Sequence, residues 1–175
     1  VIYGIGTDIV STCRIAAAWE RHGEAFAQRI LAPLELDGFA RASQPARFLA
    51  KRFAAKEAFA KALGTGIRTP ATWHNIRVIH DDLGKPMLDF DPELAALLAR
   101  HAIRSHHLSI SDEKELAAAF GADCGDDGLT PAAGAAPDHQ LRRPPEILQR
   151  QRQNMHQAGE GDEEDQEPRD AQMEL

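Results

Sequence analysis

The chain has 175 residues and a formal net charge of −7 that is unevenly distributed along the sequence. Residues 1–120 carry a net charge of +1, whereas residues 121–175 carry one of −8. The length predicts one domain with an appendage, and the near-neutral charge of that domain argues against nucleic acid or an anionic membrane as a partner.

Cysteine usage and hydropathy bear on the compartment in which the chain works. Cys13 and Cys124 lie far apart and outside any CxxC spacing, so the sequence indicates neither a disulfide framework nor a zinc site. No apolar run approaches the roughly 18 residues that a membrane-spanning helix needs, and the sequence opens as a strand rather than as a basic leader. We therefore expect a soluble, cytoplasmic protein.

The first predicted strand carries one carboxylate. Residues 1–10 are apolar on both faces and include two glycines, which predicts a strand that is buried on both sides. Because side chains alternate between faces, Asp8 shares a face with Gly4, Gly6 and Val10. Burying a carboxylate is unfavourable unless it is hydrogen-bonded, paired or bound to a cation. Asp8 is therefore predicted either to cap a turn or helix, or to bind a cation beside the glycines.

Three short helices are predicted next, at residues 12–20, 24–30 and 35–42, with a break at Pro33. In the first of them, Arg14 and Arg21 stand off the apolar stripe that Ile15 and Trp19 define. Two explanations are open: a solvated basic face, or a surface that docks an acidic partner.

The strongest helix signal lies at residues 45–63. Pro45 suits a first helical turn, the interior consists mainly of good helix formers, and Gly64 suits a left-handed cap. The turn that follows, residues 64–66, either is a plain cap or offers backbone N–H groups to a phosphate.

Charged residues fall within the apolar arc of this helix. At about 100° per residue, Arg52 and Lys56 project into the arc, and Glu57 lies at its edge, one turn before Lys61. In one interpretation the cations extend over apolar surface and Glu57 forms an ordinary pair with Lys61. In the other, Glu57 is a half-buried carboxylate ringed by these cations, and a second carboxylate would complete a site for a metal ion and a polyphosphate.

Residues 75–120 predict a hairpin, a helix and two further strands. The expected elements are strands at 75–80 and 87–90, a helix at 92–104, a strand at 107–111 and a short last strand at 115–120 with weakly β-forming alanines. From residue 121 onward Gly, Pro, Asp, Gln and Glu dominate, and such a segment buries too little apolar surface to offset its ordering entropy. Residues 121–175 are therefore predicted to be a disordered acidic tail, with at most a transient helix at 145–157.

Four motifs stand in order along residues 1–120. They are GIGTDIV at 4–10, RFLAKRFAAKEA at 47–58 followed by Lys61 and GTG at 64–66, GKP at 84–86, and HLSISDE at 107–113. In sequence and spacing they resemble the small bacterial holo-[acyl-carrier-protein] synthases of the 4′-phosphopantetheinyl transferase superfamily. The first two motifs are long and specific.

The resemblance implies an α+β fold, with an antiparallel sheet packed against helices in a transferase domain at 1–120 and the acidic tail at 121–175. Proteins of this family assemble as homotrimers with active sites at subunit interfaces. They transfer phosphopantetheine from coenzyme A to a serine of apo acyl carrier protein, for fatty acid biosynthesis. We therefore expect coenzyme A as co-substrate and Mg²⁺ as cofactor.

The resemblance also implies roles for individual residues. Asp8 and Glu57 match the two metal ligands of the family, and Lys61 matches a lysine near the transferred phosphate. The expected coenzyme A contacts are Arg52, Lys61, Gly64, Thr65 and His107. Arg14 and Arg21 lie on the helix that docks the acidic helix of the carrier protein.

These residue types suit the expected chemistry. Mg²⁺ prefers a few carboxylates, retained waters and phosphate oxygens, so Asp8 and Glu57 suffice as its protein ligands. Glu57, directly or through a water, is expected to take the serine proton while Lys61 and Mg²⁺ balance charge on the phosphoryl oxygens. A metal-bound hydroxide fits the sequence equally well as the base.

Two features depart from the family pattern. The family ends in a firm apolar strand where a short one is expected here, and the tail has no counterpart. The tail is either a solvated extension or an acidic segment that competes with the carrier protein for Arg14 and Arg21. Two other functions stay open: a catalytically silent coenzyme A-binding module and a Mg²⁺-dependent pyrophosphohydrolase.

Overall fold

The structure, a computed structural model, describes residues 1–125, so the predicted helix at 145–157 and the rest of residues 126–175 lie outside the described residues. The elements follow in the order β1 (Ile2–Ser11), α1 (Thr12–His22), α2 (Glu24–Ile30), α3 (Pro33–Ala40), α4 (Pro45–Leu63), β2 (Ile76–His80), β3 (Pro86–Phe90), α5 (Pro92–Arg100), β4 (Ile103–Asp112) and β5 (Leu116–Gly125). The predicted elements agree with these in type and order. The break predicted at Pro33 is the start of α3, because proline suits a first helical position.

A three-stranded antiparallel sheet has the strand order β1-β5-β4, and β2 pairs with β3 as a separate hairpin. The central strand β5 is paired with β1 from Leu116 to Cys124 and with β4 on its other side. The prediction of a short last strand ending at residue 120 is wrong, because main-chain hydrogen bonds to two neighbours outweigh the weak β propensity of alanine. Residues 121–125, which were predicted to belong to the tail, are part of the sheet.

Helix α4 contacts β1 on the inner face of the sheet without intervening side chains. A Cβ atom on Gly4 would lie 2.0 Å from the carbonyl oxygen of Ala62, and one on Gly6 would lie 2.0 Å from that of Ala58. Both alanines are buried. The predicted α+β class, with helices packed on an antiparallel sheet, is confirmed.

Two apolar clusters fill the space beside α4. One contains Leu49 with Ile15 and Phe39 from the preceding helices, and the other contains Phe59 with Leu94 of α5. Helix α4 therefore contributes to both cores. Among the helices of residues 1–125, none combines the length and the apolar character needed to cross a membrane.

The outer face of the sheet is exposed, and the part that β1 and β5 form is largely apolar. Its large exposed side chains are Tyr3 (44%), Ile5 (54%), Ile9 (69%), Leu116 (49%) and Phe120 (45%). The prediction that β1 is buried on both sides is therefore wrong for the single chain. A contiguous exposed apolar face is typical of an interaction surface.

A buried pair holds the C-terminal end of β5. Asp123 is 1% exposed, and its Oδ1 lies 2.8 Å from Nδ1 of His106 on β4. The imidazole packs edge-on against Phe59 and Phe90. The sequence alone does not indicate this pair, because Asp123 falls in the segment that its composition predicts to be the tail.

We expect Gly6→Ala to lower the free energy of unfolding by at least about 2 kcal/mol, because an added Cβ forces α4 away from β1. The matched control is Gly38→Ala on α3, where the new Cβ would lie 3.5 Å from the Phe48 ring, an ordinary contact. That control should stay within about 1 kcal/mol of the parent. Chemical denaturation of the three chains at equal concentration measures both changes. Equal effects of the two substitutions would show that the α4–β1 contact is not sterically tight.

Candidate active site

Asp8 lies in the middle of β1, on the inner face that α4 covers. It caps neither a turn nor a helix, because the strand continues to Ser11 and α1 begins only after it. Nζ of Lys61 donates to Oδ1 of Asp8 at 2.8 Å and to the carbonyl oxygen of Thr7 at 3.0 Å. The Asp8 side chain is 14% exposed and that of Lys61 is 48% exposed. The pair therefore lies at the edge of the core, where a ligand can reach it.

Glu57 lies on α4 one turn before Lys61 and is half-buried. Burial raises the pKa of its carboxyl group, the charge of Asp8 raises it further, and Lys61 opposes the shift. The carboxylates from β1 and α4 are thus close enough to repel each other. The structure brings Asp8, Glu57 and Lys61 into one cluster.

The donor set of this cluster suits a hard divalent cation. A cation between Asp8 and Glu57 relieves the repulsion that raises the pKa of Glu57. Within residues 1–125, no group of three or more His, Cys, Asp or Glu side chains could hold a metal by protein ligands alone. Mg²⁺ needs no such group, because it is commonly held by one or two carboxylates, with waters and substrate phosphates as further ligands. The residues present therefore fit Mg²⁺.

Lys56 and Arg52 do not surround Glu57, and that part of the prediction is wrong. Both face Glu35 of α3 instead. Nζ of Lys56 lies 2.5 Å from Oε2 of Glu35 and donates to two backbone carbonyl groups as well. Burial lowers the pKa of Lys56 to about 8, although Glu35 opposes the shift. Sequence analysis missed Glu35, although a lysine in an apolar arc signals a buried acidic partner.

Arg52 lies on the opposite flank of α4 from Lys61, because nine residues at about 100° each amount to about two and a half turns. Its Cζ lies 4.6 Å from the centroid of the Phe48 ring. Arg52 lines a cavity of about 210 Å³ between α4, the β2–β3 hairpin and β4. The cavity is also lined by Lys51, His80, Gly84 and Pro86.

The turn after α4 is a left-handed cap. Gly64 has a φ of 80°, and its N–H donates to the carbonyl oxygen of Lys61. The N–H groups of Thr65 and Gly66 both donate to the carbonyl oxygen of Ala60, at 3.2 and 3.1 Å. The plain-cap alternative therefore describes this turn, and its N–H groups are already bonded within the chain.

The remaining predicted residues lie away from Asp8. His107 is exposed on the outer face of the sheet, opposite Ala122, whereas Asp8 lies on the inner face. One chain therefore does not bring His107 and Asp8 together. Arg14 and Arg21 are both exposed on α1, and a spacing of seven residues puts them on one helix face.

Comparison with known proteins reveals close relatives. Residues 4–120 match the family model of the 4′-phosphopantetheinyl transferase superfamily. Two curated proteins named holo-[acyl-carrier-protein] synthase, from Nitrosomonas eutropha and Nitrosospira multiformis, are 57% and 58% identical over 120 residues, which are 69% of this chain and 96% of each relative.

Solved structures agree with this. The crystal structure of holo-[acyl-carrier-protein] synthase from Neisseria meningitidis has a TM-score of 0.69 and 51% identity, and the match covers 70% of this chain and 98% of that one. The Helicobacter pylori synthase in complex with coenzyme A has a TM-score of 0.61 and 28% identity, over 69% of this chain and 99% of that one. The chain belongs to the 4′-phosphopantetheinyl transferase superfamily.

Proposed function

We propose that this chain transfers the 4′-phosphopantetheine group of coenzyme A to a serine of apo acyl carrier protein, for fatty acid biosynthesis. The products are the holo carrier protein and adenosine 3′,5′-bisphosphate. The observation that carries the proposal is the cluster of Asp8, Glu57 and Lys61 where α4 meets β1. The shared name of the curated relatives and the coenzyme A complex of a related synthase support it.

The chain's own residues divide the chemistry between them. Glu57 takes the proton of the attacking serine hydroxyl, directly or through a water, from its half-buried position beside Asp8 and Lys61. Lys61 is half-exposed and donates to oxygens, so it can turn from Asp8 to the phosphoryl group and balance its negative charge. Asp8 and Glu57 would hold Mg²⁺. When bound, Mg²⁺ supplies Lewis-acid stabilisation of the phosphate oxygens.

A homotrimer with active sites at subunit interfaces is part of the proposal. Arg52 and His107 are assigned to coenzyme A, yet in one chain neither lies beside Asp8 and Glu57. The exposed apolar face of the sheet offers a surface for a second copy. With a partner chain on that face, one coenzyme A can contact Glu57 and Lys61 on the α4 of one chain and Arg52 on the α4 of another.

Further assignments complete the proposal. Gly64 and Thr65 follow Lys61 by one turn, and their N–H groups bond to α4. The Thr65 hydroxyl group donates to the carbonyl oxygen of Gly66 at 2.9 Å, and it would rotate from there to donate to a coenzyme phosphate. Arg14 and Arg21 form a basic pair for the acidic carrier protein. The reaction takes place in the cytoplasm, where Cys13 and Cys124 remain free thiols.

The direct test incubates the protein with coenzyme A, apo acyl carrier protein and Mg²⁺, and follows the carrier by intact mass. We expect a gain of one phosphopantetheine unit that EDTA abolishes. Asp8→Asn and Glu57→Gln should each slow the reaction at least about 100-fold, while Glu93→Gln, at an exposed position on α5, should not.

Other outcomes separate the rival functions. Release of phosphopantetheine without a protein acceptor would identify a pyrophosphohydrolase. Coenzyme A binding by a folded chain, without any transfer or hydrolysis, would identify a silent binding module. Either result would overturn the transferase proposal.

A subunit-mixing experiment tests the shared site. Arg52→Ala and Glu57→Gln chains, each weakly active alone, are dissociated together and reassembled at equal concentration. If each site combines the Glu57 of one chain with the Arg52 of its neighbour, about a quarter of the interfaces contain both native residues and activity returns. Each variant reassembled with itself is the control. Mixed trimers seen by native mass spectrometry without recovered activity would refute a site shared in this way.

The pH dependence of stability tests the environment of Glu57. Its pKa lies above the ordinary 4.5, so its contribution to the free energy of unfolding is present below pH 4.5 and is lost as the pH rises through the raised pKa. Glu57→Gln cannot ionise and escapes this loss. In EDTA, the stability of the variant relative to the parent should therefore be greater at about pH 7 than at about pH 4. Denaturation curves with Glu93→Gln as control measure this, and a pH-independent difference would contradict it.

A further inference from the structure

A carboxylate outside the cluster described above lies beside Arg52. Glu35 is 4% exposed and reaches from α3 into the core. Its Oε2 accepts from the N–H of Ala32 at 2.8 Å and from Nζ of Lys56 at 2.5 Å. Its Oε1 accepts from the N–H of Val78 at 3.2 Å and lies 3.5 Å from Nε of Arg52. Glu35 therefore connects α3, α4 and β2 next to Arg52, which lines the cavity.

Arg52 depends on Glu35 for its position. The Arg52 side chain is only 10% exposed, and its Nε has no hydrogen-bond partner. Burial lowers the pKa of Arg52, and the charge of Glu35 opposes that shift. Because a buried guanidinium without a nearby carboxylate is strongly unfavourable, removal of the Glu35 charge would drive Arg52 out of its place over Phe48.

The cluster also leaves positive charge available at the cavity wall. One carboxylate, Glu35, faces two cations, Lys56 and Arg52. On the same cavity wall Asp112 is the carboxylate for Lys51, at 3.7 Å, and for Arg47, so there too two cations face one carboxylate. Burial lowers the pKa of His80 at the cavity rim, and the charges of Arg52 and Lys51 lower it further. A fixed, planar guanidinium in such surroundings suits a phosphate group.

We propose that Glu35 is a positioning residue that holds Arg52 in the cavity and thereby sets the affinity for coenzyme A. This inference rests on the proposed function, in which Arg52 contacts a coenzyme phosphate. Glu35 itself touches no substrate. Its effect should therefore appear in KM for coenzyme A, should depend on Arg52, and should leave the chemical step on the far flank of α4 unchanged.

The test is a double-mutant cycle on the full chain, with coenzyme A as the varied substrate. Glu35→Gln should raise KM about fivefold to twentyfold, with kcat within about twofold of the parent. Arg52→Ala should raise KM at least as much. The double variant should be no worse than Arg52→Ala, because Glu35 has nothing left to position.

A control separates positioning from loosening of the core. Leu31→Ala removes a side chain that is 1% exposed, between Ile30 and Ala32, whose backbone groups bond to Lys56 and Glu35. It should lower the midpoint of thermal unfolding without changing KM. A KM that rises with Leu31→Ala, or effects of Glu35→Gln and Arg52→Ala that multiply, would overturn the inference. If Glu35→Gln does not fold, Glu35→Asp keeps the charge but withdraws it by one methylene group, and the same comparisons apply.

The outcomes distinguish this inference from the function on which it rests. An inactive parent chain would refute the transferase function. An active parent whose KM is unaffected by Arg52→Ala would refute the assignment of Arg52 to the coenzyme. An active parent in which Arg52→Ala raises KM and Glu35→Gln does not would refute the role of Glu35 alone.

Discussion

The structure depends on a backbone contact between a helix and a strand. At Gly4 and Gly6 the strand β1 has no side chain, and the carbonyl groups of α4 approach so closely that a Cβ atom would not fit. Alanines on the helix complete the contact. This short distance is what lets Lys61 reach Asp8 and places Glu57 near enough for the two carboxylates to influence each other. A larger residue at either glycine would separate the residues of the candidate site.

Helix α4 has different chemistry on its two flanks. On the flank toward β1 it carries Glu57 and Lys61 at the edge of the core. On the other flank Arg52 and Lys56 are buried against Glu35, and Arg52 lines a cavity. A single helix cannot present both flanks to one ligand, because the helix itself lies between them. With its side chains, an α-helix is about 10 Å in diameter. In the proposed trimer, a second chain on the exposed apolar face of the sheet would bring the two flanks together.

Much of the fold could be predicted because its signals are local. Each of these signals lies within a short window of sequence. They are the capping residues and composition of α4, the hairpin turn, and the alternation in β4. The incorrect predictions concern features of the fold that long-range contacts determine. The extent of β5 depends on pairing with two strands and on the bond between Asp123 and His106, and a run of alanines shows neither. For the same reason the outer face of β1 is exposed in one chain although its pattern indicates burial.

The sequence by itself determined how the residues of the candidate site are spaced along their elements. The spacing of Glu57 and Lys61 on one helix, and the placement of Asp8 on the glycine face of β1, follow from the periods of helix and strand. Helical position also placed Arg52 and Lys56 in the apolar arc, but it could not identify their partner, because Glu35 lies on another helix and contacts them only through tertiary packing. Only the tertiary structure decided that Arg52 and His107 lie apart from Asp8. The sequence does not show which residues pack against a given helix flank or sheet face, because the elements come together only in the folded chain.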